Sequence, residues 1–102
     1  MPTVYITAPP EAASDIARTL VEERLAACVN QVPCESVYRW DGEIHDDSEV
    51  ILLAKTTAER YDDLRERVLD VHPHDVPCIE RFEETHVFEP FGEWVAEETE
   101  SE

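Results

Sequence analysis

Ser36-Val37-Tyr38-Arg39-Trp40-Asp41-Gly42-Glu43-Ile44 is the segment from which the rest of the chain can be laid out. Val37 to Trp40 are β-branched or aromatic residues, or sit between them, and Asp41-Gly42 is a strong signal for a two-residue hairpin turn. A strand therefore arrives at Trp40 and a second leaves from Ile44. The return arm is clearest from Glu49 to Thr56. Its run Val50-Ile51-Leu52-Leu53-Ala54 is apolar on both faces, which predicts burial on both.

Upstream, Cys28-Val29-Asn30-Gln31-Val32 begins the arriving strand, and Pro33 predicts a bulge or bend within it. Before that, Ala13, Ile16, Ala17, Leu20 and Val21 recur at helical spacing, so Glu11 to Ala27 reads as an amphipathic helix. Thr3 to Ala8 reads as a strand, ended by Pro9-Pro10. Downstream, Thr56 and Glu59 form a capping-box pattern, and a helix follows to about Val71. Ile79 to Val87 contains a strand, and Pro90 to Ala96 is a short helix with Phe91, Trp94 and Val95 on one face. Residues 97–102 are expected to fray. The order β-α-β-β-α-β is a ferredoxin-like, split-βαβ α+β fold in one domain spanning residues 1–102. It has an antiparallel sheet, two helices on one face, and a terminal helix. The other face of the sheet has no helix to cover it, and self-association is the simplest cover.

The chain has 25 acidic and 8 basic residues and a formal net charge of −17. Lys55 is the sole lysine among those bases. Carboxylates scattered through strong apolar runs fit a folded protein adapted to a salt-rich cytoplasm better than a disordered acidic one. Such charge also argues against nucleic acid, which is bound by neutralising phosphates. No apolar stretch has the length of a membrane helix, and no leader pattern is visible. Three cysteines, Cys28, Cys34 and Cys78, cannot all pair within one chain, so free thiols in a reducing cytoplasm are expected.

The candidate chemistry is concentrated in His72-Pro73-His74-Asp75-Val76-Pro77-Cys78. Each proline disfavours helix in the residue before it, so the tract is expected to be extended. His72, His74 and Cys78 then share parity and a face. Imidazoles with a thiolate suit copper or zinc better than magnesium or calcium. The competing interpretation is a rigid connector after a helix. Tyr38 and Trp40 share a strand face, either as a subunit contact or as the wall of a ligand cleft. Lys55 either neutralises a neighbouring carboxylate or holds an anionic ligand. No Ser, Cys or Thr has an evident base partner, so no enzymatic activity is expected.

Several segments, taken in order, resemble the CutA1 divalent-cation-tolerance family over nearly the whole chain. They are Thr7-Ala8-Pro9, Leu25-Ala26-Ala27-Cys28-Val29-Asn30, Tyr38 to Ile44, Asp47 to Val50, Lys55-Thr56-Thr57, His72 to Pro77, and Trp94-Val95. The resemblance implies a homotrimer joined by the long hairpin and terminal helix, and a link to tolerance of copper and other divalent metals. It also implies a likeness to the PII signalling proteins, which bind nucleotides at subunit clefts, and so a signalling or scaffold module taking a small molecule there as the alternative. Where the family's copper ligands include a Cys before Thr-Ala-Pro, this chain has Ile6. Of the family's His pair only His72 is present, after Val71. His74 stands at the usual tyrosine and Cys78 at the usual glutamate.

Overall fold

Alternation of small and branched apolar residues along the strands fixes which way the sheet faces. In the computed structural model, which describes residues 1–100, four strands pair antiparallel in the order β2-β3-β1-β4. They are β1 (Pro2–Ala8), β2 (Cys28–Trp40), β3 (Glu43–Lys55) and β4 (Ile79–Glu83). Val4, Ile6 and Ala8 on β1 and Leu52 and Ala54 on β3 are all completely buried. They meet Ala13, Ile16, Ala17 and Leu20 of α1 (Pro10–Glu22) and Leu64 and Val68 of α2 (Tyr61–Val71) in one core. The ferredoxin-like architecture expected from the sequence is thus the one observed.

The hairpin closes at Asp41 (φ 51°) and Gly42 (φ 79°), both left-handed, as a turn matched to the twist of its strands requires. Its thirteen-residue arms stay in register from Cys28↔Lys55 to Trp40↔Glu43. Pro33 makes no bulge: it pairs with Val50 in unbroken register. β2 is an edge strand, where the missing N–H faces away from the ladder.

Three other local expectations are corrected. Helix α1 ends at Glu22, not Ala27: Arg24 takes a left-handed φ of 59° and the N–H groups of Leu25 and Ala26 fold back onto the Leu20 carbonyl. Thr56 does not cap the following helix. Its buried hydroxyl donates to the Leu25 carbonyl at 2.6 Å, and a short 3-10 turn (Ala58–Arg60) leads into α2. Residues 97–99 do not fray. Helix α3 runs Glu89–Glu98, and the buried Thr99 hydroxyl donates to the Val95 carbonyl at 2.8 Å; Ser101 and Glu102 lie outside the described residues. Only Val95 of the predicted docking face is buried, while Phe91 and Trp94 stay exposed with ring centroids 5.7 Å apart.

No helix is long and apolar enough to cross a membrane among the described residues. The second sheet face carries no helix. Ile51 and Leu53 there remain half-buried, against the burial on both sides that their sequence run predicts.

Candidate functional site

The helix-free face is built by parity. Residues alternating with the buried Val4, Ile6 and Ala8 put Tyr5 and Thr7 on it; Leu53, Ile51 and Glu49 follow on β3, and Cys34, Ser36 and Tyr38 on β2. Glu80, opposite Tyr5, brings β4 onto the same face. The hairpin projects past the end of β1, and the tract from His74 to Cys78 passes alongside it. Between them runs a groove of about 600 Å3. Tyr5 and Glu80 line one part, Cys78 and Glu49 the middle, and Tyr38, Trp40 and His74 the rest.

The structure keeps His72 and His74 adjacent, with ring centroids 5.1 Å apart, but gives the residues of the His-Pro tract different roles. His72 is buried at 7% exposure. Its Nε2 donates to the Thr7 carbonyl at 2.8 Å, and its Nδ1 accepts the His74 backbone N–H at 3.1 Å. Those partners fix the tautomer and leave no lone pair for a metal. The ring therefore fastens the end of α2 to β1. His74 and Cys78 are exposed and both reach the groove. The expected common face is absent because residues 73–76 bend instead of extending, so parity does not carry across the tract. No cluster of three or more His, Cys, Asp or Glu side chains able to hold a metal ion occurs among the described residues. Two donors remain, with carboxylates near them.

This arrangement predicts a structural penalty at His72. Replacing it by Leu removes both part-buried hydrogen bonds, to the Thr7 carbonyl and from the His74 N–H, and should cost about 1–3 kcal/mol. Urea unfolding measures it. A loss below about 0.5 kcal/mol would show that the ring is not the fastener described.

The thiol of Cys78 donates to a Glu80 oxygen at 3.7 Å. Burial and the Glu80 charge push it above the ordinary thiol range. Burial also raises the Tyr5 hydroxyl, with further contributions from Cys78, Cys34, Glu80 and Glu49, so this part of the groove disfavours added negative charge. On the hairpin, the Tyr38 hydroxyl donates to the Asp47 carboxylate and its ring stacks on His45 at 5.3 Å between centroids.

Tyr38 and Trp40 thus line one groove, but Lys55 does not join them. It lies ten residues along β3 from His45, the partner of Tyr38, which is ~33 Å of strand at ~3.3 Å per residue. Its Nζ donates to the Thr3 hydroxyl at 3.4 Å, and that hydroxyl donates in turn to the Glu84 carboxylate. Sequence analysis did not single out Tyr5, Thr7, Glu49 and Glu80 as groove residues. Their parity is readable, but the β1–β3 and β1–β4 registers that bring them beside Cys78 are not.

Comparisons with known proteins agree with this geometry. The family model for the CutA1 divalent ion tolerance protein matches residues 2–98. The chain is 47% identical to the divalent-cation tolerance protein CutA of Thermus thermophilus over 98 residues, covering 94% of this chain and 95% of that protein. It is 40% identical to the protein of the same name from Pyrococcus horikoshii, covering 94% and 95%. Among solved structures, the Thermus thermophilus protein superposes with a TM-score of 0.92 at 46% identity, over 98% of this chain and all of that one. The PII-like protein CutA from a Nostoc species, in its apo form, gives 0.95 at 33% identity over 98% of each. The chain therefore belongs to the CutA1 divalent ion tolerance protein family.

Proposed function

We propose that this chain forms a cytoplasmic homotrimer, without enzymatic activity, that binds divalent metal ions weakly and so contributes to metal tolerance. One observation carries the metal reading: the His74 imidazole and the Cys78 thiol line one acid-walled groove, with no third His or Cys on its walls among the described residues. Two soft donors with carboxylates suit copper or zinc. A set so incomplete favours loose, exchangeable binding of a cargo ion over a permanent centre. The absence of catalysis is supported by Cys78 itself. Its thiol is held above the ordinary range, the opposite of the lowered value that makes a cysteine nucleophilic.

The trimer is supported by the uncovered sheet face, with Ile51 and Leu53 on it, and by the exposed Phe91 and Trp94 of α3. Light scattering after size exclusion in high salt is expected to return three times 11.7 kDa. A uniform monomer would refute the assembly. Three free thiols support a reducing compartment.

Metal titration by calorimetry tests the site. Cys78→Ser and His74→Ala are each expected to weaken copper or zinc binding about tenfold or more, which is about 1.4 kcal/mol. His72→Leu should leave affinity nearly unchanged, because its ring is already engaged. Binding should also weaken as the solution is acidified, since the ligands must be deprotonated. Equal affinity in the wild type and both ligand variants would place metal binding elsewhere.

A second reading is favoured by Tyr38 and Trp40 on the same groove, and by the likeness to a PII-like relative. In it, the chain is a signalling or scaffold module that takes a small molecule at this cleft. A thermal-shift response to organic ligands, absent with metals, would select it.

A further inference from the structure

We draw no further inference here: the strongest candidate, the apolar patch of Val37 and Ile44 on the outer half of the β2–β3 hairpin, lies on a surface that the homotrimer proposed above would bury, and covering it with Phe91 and Trp94 of a neighbouring α3 restates the assembly that the family resemblance already implies.

Discussion

Leu52→Ala is expected to lower the unfolding free energy by about 2–5 kcal/mol, the usual cost of emptying a leucine site in a packed core. Leu52 is completely buried on β3, between β2 and β1, and faces the cluster formed by α1 and α2. A chain of 102 residues has one small core, and a domain of this size is stable by only about 5–15 kcal/mol. The loss is therefore a large fraction of the whole. Urea is the appropriate denaturant, because guanidinium is itself a salt and this protein carries −17 charges. The neighbouring substitution Leu53→Ala makes the comparison informative. Leu53 points to the helix-free face and is half-buried in the single chain. Its loss should act on assembly, as a midpoint that depends on protein concentration. A Leu52→Ala loss under about 1 kcal/mol would mean that the core collapses around the gap.

The same pair of residues shows how far the sequence could be read. Val50 to Ala54 is apolar throughout, so burial on both faces was the natural inference. Local pattern cannot say whether the second cover is part of this chain or another copy of it. The ferredoxin-like order, the Asp41-Gly42 turn and the end of α2 at Val71 are legible because each depends on signals close in sequence, whereas its start, expected at a Thr56 capping box, lies at Tyr61. The behaviour of Pro33 is not legible, because whether a proline disturbs a ladder depends on whether its strand is an edge. The site was half legible. His74, Cys78, Tyr38 and Trp40 do line one groove. The parity rule that puts His72 on one face with His74 and Cys78 holds only in a strand; residues 73–76 bend, and the His72 ring is buried against β1. Lys55, whose charge could hold an anionic ligand, lies by the hairpin's register at the far end of β3 from the partners of Tyr38 and Trp40.

Moving the protein from ~1 M to ~0.1 M salt is expected to lower its melting temperature by about 10 °C, through repulsion that lengthens its range from ~3 Å to ~10 Å. Where the charges sit sharpens this expectation. Along the hairpin, every acid pairs across the ladder with a residue that is not acidic: Glu35 with Ser48, Asp47 with Ser36, Asp46 with Val37, Glu49 with Cys34, Glu43 with Trp40. Direct contact of like charges, which salt relieves poorly, is thus avoided. What remains is repulsion at longer separations, the part that a few ångströms of screening removes. Ion pairs such as the two-bond contact of Arg67 with Glu23, at 2.9 and 3.0 Å, are too few to cancel it, with 8 basic residues against 25 acidic. Assembly multiplies the effect. Three chains at −17 each bring −51 charges together, so the trimer proposed above should dissociate on desalting before or together with unfolding. Scanning calorimetry and light scattering along one salt series would follow both events. A melting temperature that stays level across the series would show that the acidic surface is not an adaptation to salt.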